Sequence, residues 1–216
     1  QYNYQDRLII NMGYSYHYNS IGGAIINNTI ASNSYSIRFN FESAGNIMYA
    51  LSKATNIRKN NDGEYAILGI PYAQYVKGEF DFSKNIRIDH RNSFAFHIGM
   101  GIAVPYGNAK TIPFEKQYFS GGANSVRGWT VRDLGPGSFV RDENTNLLDQ
   151  SGDIKLDASI EYRSKLFWKF QGAIFVDAGN IWTIRDYDNQ PGGVFKFDKF
   201  YKQIAVAYGL GLRLDL

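Results

Sequence analysis

From Ile154 to Leu166 the sequence changes character at every residue. Ile154, Leu156, Ala158, Ile160, Tyr162, Ser164 and Leu166 take the even positions, and Lys155, Asp157, Ser159, Glu161, Arg163 and Lys165 take the odd ones. A period of two belongs to a β-strand, whose side chains point alternately to opposite faces. A helix with this sequence would spread its charges around the whole circumference. The alternation thus sets both the element and its two faces, one apolar and one formally charged.

The same pattern recurs along nearly the whole chain of 216 residues and predicts seven strands, at about 4–18, 35–43, 72–89, 93–106, 153–165, 168–182 and 201–216. In the first, Leu8, Ile10, Met12, Tyr14, Tyr16 and Tyr18 oppose Gln5, Arg7, Asn11, Ser15 and His17. In the third, Val76, Phe80, Phe82, Ile86 and Ile88 oppose Lys77, Glu79, Asp81, Asn85, Arg87 and Asp89. No helical stretch competes with these segments. Several exceed the five or six residues usual for globular strands.

No run of about 18 apolar residues exists, so no transmembrane helix is expected. Barrel strands escape that criterion, because only every second residue meets lipid. Aromatic residues make up 16% of the chain, with 16 Tyr and 15 Phe, which suits the aromatic girdles of a membrane barrel. Trp168 and Trp182 bracket one apolar row. At about 3.3 Å per residue and a tilt near 45° they would stand roughly 33 Å apart along a membrane normal, as lipid-interface aromatics do. Short turns near His90–Asn92 and Lys165–Phe167 face long polar connections at roughly 44–71, 106–152 and 183–199, the asymmetry of an outer-membrane barrel. The 19–31 segment is long for a turn on the short rim. The fold class is therefore all-β: an antiparallel up-and-down transmembrane β-barrel, here a partial barrel of about seven long strands. A soluble β-sandwich would need the same apolar rows turned inward.

Other chemistry finds little support. Without cysteine there is no disulfide framework, thiolate site or cysteine nucleophile, and a net charge of +3 without a basic block gives no reason for nucleic acid. His17, His90 and His97 lack metal-ligand spacing. Gly121, Gly122 and Gly128 lack the Gly-Lys-Ser/Thr ending of a phosphate cradle. Serines near these glycines form no nucleophile elbow. The reading is of a non-enzyme with no catalytic residue, cofactor or metal.

The connection at 107–152 is too long for a casual hairpin. It contains Gly121-Gly122 and, four residues on, Val126-Arg127-Gly128-Trp129. With Phe175-Val176-Asp177-Ala178-Gly179 downstream and Ser159-Ile160-Glu161-Tyr162-Arg163 between them, the sequence resembles the BamA/TamA superfamily of bacterial outer-membrane barrels. Trp129 stands where that family more often has Phe or Tyr. The resemblance is sharp from about 112 to 182 and softer elsewhere. It implies about seven of sixteen strands, the eighth to the fourteenth, without the seam strands or the preceding periplasmic domains. Both ends of the alternating pattern read as cut, as in a piece of a longer protein.

The resemblance also implies a function. Such barrels insert outer-membrane proteins or move polypeptides across that membrane. The implied partners are outer-membrane lipid, client barrels or secreted polypeptides, and periplasmic or lipoprotein accessory subunits. A passive porin or receptor barrel is the alternative. In the family picture the long loop folds back into the barrel and its arginine, here Arg127, bonds acidic groups on the inner wall. Parity places Asp177 and Glu161 on the charged faces, with Asp157 as a substitute. A hairpin turning at Leu166-Phe167 would set Asp177 opposite Asp157 and Glu161 about 13 Å away, beyond reach of one arginine that holds both. Gly99, Gly101 and Ala103, with Ala205, Ala207, Gly209 and Gly211, leave the wet face small; they make room for the loop, or merely relieve curvature.

Overall fold

The structure, a computed structural model, describes residues 6–20, 33–140 and 150–214. Chain order is β1 (Asn11–Asn19), β2 (Asn33–Ala44), α1 (Asn46–Ala54), β3 (Ala66–Ile67), β4 (Ile70–Pro71), β5 (Tyr75–Arg87), β6 (Asn92–Pro105), β7 (Ile154–Lys165), β8 (Phe170–Trp182) and β9 (Ala205–Leu214). Seven of these strands form one sheet in the order β1-β2-β5-β6-β7-β8-β9, and each adjacent pair is antiparallel. Within the described residues the sheet is open, because β1 and β9 do not pair.

The register carries the two-faced pattern across the sheet. Tyr16, Phe39, Phe80, Met100 and Leu156 align across five strands. One position along, Arg38, Asp81, Gly99, Asp157, Gly179 and Ala205 align on the opposite face. Met12, Tyr14, Met100, Ile160, Ile174, Val206, Tyr208, Leu210 and Leu212 are all exposed, Tyr208 by 85% and Leu210 by 81%. Asp157, Glu161 and Asp177 are buried. This inverts a water-soluble sheet, which hides its aliphatic rows and wets its carboxylates. A face of this extent suits lipid and not water.

The two largest boundary differences from the sequence reading come from backbone pairing and a local turn. The first strand begins at Asn11, because β2 ends at Ala44 where it pairs with Asn11. Before that point Leu8 lies in a parallel bridge with Tyr72: its N–H bonds the Pro71 carbonyl at 3.0 Å, and its carbonyl accepts from Ala73 at 2.9 Å. Residues 4 and 5 fall outside the described set. The last strand begins at Ala205, since Phe200–Lys202 forms a 3-10 turn.

The long connections carry structure that alternation does not reveal. The 44–71 segment contains α1 and the β3–β4 hairpin, so the expectation of no helix is corrected. Only Ser52 of α1 is buried, beside the Tyr72 hydroxyl at 3.3 Å, while Ile47 and Leu51 face out. Ile47, Met48 and Leu51 recur at helical spacing, but nine residues are too short a run to stand out beside the long alternating strands. The short turns are tightly built. Asp89 accepts from the Arg91 and Asn92 backbones at 2.6 and 2.9 Å and from Asn92 Nδ2 at 2.8 Å. The side-chain bond from Asn92, aided by these backbone bonds, holds the Asp89 carboxyl below its usual range. Residues 21–32 of the long turn lie outside the described set.

If the exposed rows meet lipid, a charge there is costly in a bilayer. Val176→Arg in the full-length protein is expected to destabilise it by about 2–4 kcal/mol when refolded by denaturant dilution into vesicles. Ser83→Arg, on the opposite face, should be close to neutral. Equal costs at the two positions would contradict the orientation.

Candidate functional site

The connection from β6 to β7 lies on the polar face and is fastened to it step by step. Lys116 Nζ pairs with Glu42 Oε1 at 2.7 Å, and Glu42 also accepts from Asn11 at 2.7 Å and from the Tyr75 hydroxyl. Tyr118 and Gly152 exchange two backbone bonds of 2.8 Å, joining the two arms of the loop. The Tyr118 ring lies against Gly101, where a Cβ would come within 2.5 Å of its Cζ. Lys77 Nζ sits 4.4 Å from the ring centroid. Burial, more than nearby Glu79, raises the Tyr118 phenol well above its ordinary pKa.

Beyond Tyr118 the chain makes a compact hairpin. Ser120 and Leu134 bridge antiparallel, and Gly122 N–H bonds the Trp129 carbonyl at 2.8 Å. Gly121 sits at φ +98°, and a Cβ there would be 2.0 Å from the Thr130 carbonyl oxygen, so only glycine fits. Val126 is fully buried with Leu134 and Ala207, and Trp129 packs at the margin. Gly128 lies so near β9 that a Cβ would be 2.7 Å from that of Ala207. The second arm is tied down by Gly137 N–H on the Ile181 carbonyl at 2.7 Å and by Asn180 Nδ2 on the Gly137 carbonyl at 2.9 Å.

This hairpin delivers Arg127 to the wall. Its Nε and Nη2 donate to Asp177 Oδ2 and Oδ1 at 2.6 and 2.7 Å, and its backbone N–H adds a third bond to Oδ2 at 3.1 Å. Nη1 donates to Glu161 Oε2 at 2.5 Å. The guanidinium lies 3.5 Å above the centroid of Phe175. Bonding to Asp177 holds it charged more firmly than in water, against the opposing effect of burial. Register explains how one side chain makes all these contacts. Phe175 and Asp177 are successive same-face residues of β8, and Glu161 on β7 is directly across from Phe175. Glu161 Oε1 meanwhile pairs with Arg163 at 2.8 Å and Arg213 at 2.6 Å. Three guanidiniums and two carboxylates thus form one network, with bidentate geometry at Asp177.

The structure therefore brings Arg127 to both Asp177 and Glu161, and the expectation that one arginine reaches only one of them is corrected. The hairpin turns one residue later than assumed, with Trp168 at φ +50°, so Asp177 stands opposite Ser159. Asp157 is not a partner of Arg127. It faces Gly179 across the pair and contacts Lys155 at 3.1 Å and His97 at 3.4 Å instead. Of the small residues, Gly101 and Ala207 accommodate the loop. Gly99 accommodates the Asp157 carboxylate, Gly209 the Phe175 ring, and Gly211 is nearest Ala173. Phe175, Arg163 and Arg213 were not singled out, although odd-position parity puts all three on the polar face.

The two tryptophans separate. Trp168 is 80% exposed in the turn between β7 and β8, as a rim aromatic would be. Trp182 is corrected: it is 0% exposed, because Phe195 and Phe200 cover it edge-on at 5.5 and 6.2 Å and its Nε1 donates to Gln203 at 2.8 Å. Among the described residues no cluster of His, Cys, Asp or Glu could hold a metal ion.

The Omp85 superfamily domain matches residues 12–216. The chain belongs to the Omp85 superfamily. It is 35% identical over 99 residues to the outer membrane protein assembly factor BamA of Neisseria meningitidis serogroup B, a match covering 42% of this chain and 12% of that protein. The fold is similar to the crystal structure of BamA from Haemophilus ducreyi lacking POTRA domains 1–3, with a TM-score of 0.50 at 17% identity over 95% of this chain and 48% of that one. The Omp85 sheet described here is thus a section of barrel wall, and its polar face is the lumen side.

Two outcomes check the geometry. Asp177→Ala, which leaves Arg127 facing an emptied buried position, is expected to destabilise the folded protein by roughly 3 kcal/mol in a denaturant titration. Gly101→Val should displace Tyr118, and limited proteolysis within 107–140 should then become several-fold faster. An unchanged midpoint, or unchanged protection, would count against the respective contact.

Proposed function

We propose that this chain forms part of a bacterial outer-membrane barrel that assists the insertion and assembly of outer-membrane proteins or the translocation of polypeptides. In this reading the work is mechanical, with neither cofactor nor covalent chemistry. Partners are outer-membrane lipid, client barrels or secreted polypeptides, and periplasmic or lipoprotein accessory subunits. Family membership and the name of the Neisseria relative, an assembly factor, support this class.

The observation that carries it is the seating of the β6–β7 loop against the lumen wall by Arg127, Asp177, Glu161 and Phe175. An inward loop can also narrow a passive pore, so what favours assembly here is that this loop carries the Val126-Arg127-Gly128 hairpin and its acidic partners in a chain of the Omp85 superfamily. An assembly barrel can use the loop as an internal brace that holds the wall in shape while strands elsewhere open and pair with client edges. Five charged groups in one network make this brace directional: it fixes which loop residue meets which strand.

The test is made in cells that depend on the full-length protein. Arg127→Ala and Asp177→Ala are each expected to lower outer-membrane protein levels several-fold at equal expression of the variant. Arg127→Lys keeps the charge but loses the planar fork and should fall between them and wild type. Normal levels in both alanine variants would overturn the assigned role of the loop.

A further inference from the structure

The apolar face carries a notch that the loop clamp does not involve. Its floor is Gly78, where a side chain would meet nothing within 4 Å. Register sets Gly78 in a row with Phe41, Ile102, Ile154 and Trp182, so the absent side chain opens a gap among bulky neighbours. The cavity measures about 370 Å³ and is bounded further by Phe39, Phe80, Met100, Leu156, Phe195 and Phe200.

The end of this notch nearest the long loops is built, not merely left over. Phe195 is held over Trp182 by the Thr183–Val194 bridge and by its own N–H on the Thr183 carbonyl at 2.9 Å. Phe200 is held by one helical turn, in which its N–H bonds the Lys196 carbonyl at 2.8 Å. That turn sets Lys196 and Lys199, both exposed, beside the two rings in sequence. Lys202 follows, also exposed, and Asp198 is the one acid from Phe195 to Lys202. A greasy slot capped by two aromatic rings, whose own loop segment also carries exposed lysines, matches an amphiphile with a hydrocarbon tail and an anionic head.

We propose that the notch binds an acyl chain of a phosphate-bearing lipid of the outer leaflet, with Lys196 and Lys199 at its head group. A free phosphate would leave the slot unused, and an uncharged lipid would leave the lysines unused. The site rests on the membrane placement of the sheet and not on the assembly role. Its occupant would fix the height of the β8–β9 loop at the membrane surface, since Phe195 and Phe200 belong to that loop.

The test titrates the full-length protein in mild detergent with lipid A and, separately, with uncharged diacylglycerol, read by native mass spectrometry. Variants are the Lys196→Gln/Lys199→Gln pair and Gly78→Leu, whose side chain enters open space and so preserves the strand; heat-dependent gel mobility verifies folding. Wild type should retain lipid A in preference to diacylglycerol. The lysine pair should lose roughly thirtyfold in lipid A affinity, at about fivefold per lysine, and Gly78→Leu should also lose binding. Unchanged lipid A binding in either variant, or diacylglycerol held as tightly as lipid A, would overturn the proposal. Neither variant touches Arg127, Asp177 or Glu161, so outer-membrane protein levels in the same strains separate its failure from failure of the assembly reading.

Discussion

A guanidinium carried inward on a loop needs carboxylates waiting for it, and the arrangement of this molecule follows from meeting that need at Arg127. Asp177 takes the fork, Glu161 takes the remaining nitrogen, and Phe175 supplies a flat surface beneath. Both acids are buried, and Asp177 without Arg127 would be an uncompensated charge in a poorly hydrated place. Loop and wall therefore hold each other. Removing the loop would strand Asp177, while Glu161 would keep Arg163 and Arg213, and removing the acids would release the loop.

The β pleat makes this possible by sorting residues onto two sides. Most even positions of β7, β8 and β9 lie on the apolar face, with Asn180 and Trp182 covered at the loop end of β8, which leaves the alternate positions free to carry the network and the small residues beside it. Ala207 lets Gly128 approach the wall, and Gly209 makes space for the Phe175 ring. Glu161, Phe175 and Gly209 share one row across three strands, with Asp177 and Ala207 in the next. The site is thus a property of register as much as of composition. A slip of one residue would turn Asp177 or Glu161 outward.

How much of this could be read in advance follows the same division. Strict alternation such as Ile160-Glu161-Tyr162 gave the strands and their faces, because period two has no other structural source. The glycine and arginine motif of the loop, by resemblance, pointed to Arg127 and its acids. What alternation does not encode is where a turn is centred. A one-residue difference near Trp168 shifts the pairing partner by two, which is why Asp157 replaced Ser159 in the sequence reading and why reach to both acids looked impossible. Nor does periodicity show what a loop covers. Trp182 lies on the apolar row, yet Phe195 and Phe200, twelve or more residues on, cap it. The short α1 has helical spacing at Ile47, Met48 and Leu51, but over nine residues it is outweighed by the long alternating runs on either side.

The most direct measurement of the loop's position uses the lack of cysteine in this chain. Val126, next to Arg127 and fully buried, is replaced by cysteine in an otherwise cysteine-free full-length protein, and the thiol is offered a membrane-impermeant maleimide on intact cells. The thiol should resist labelling while Asp177 is present and become reactive when Asp177→Ala is added. Rapid labelling already in the presence of Asp177, at the rate of an exposed control such as Val140→Cys, would show that the loop does not rest against the wall.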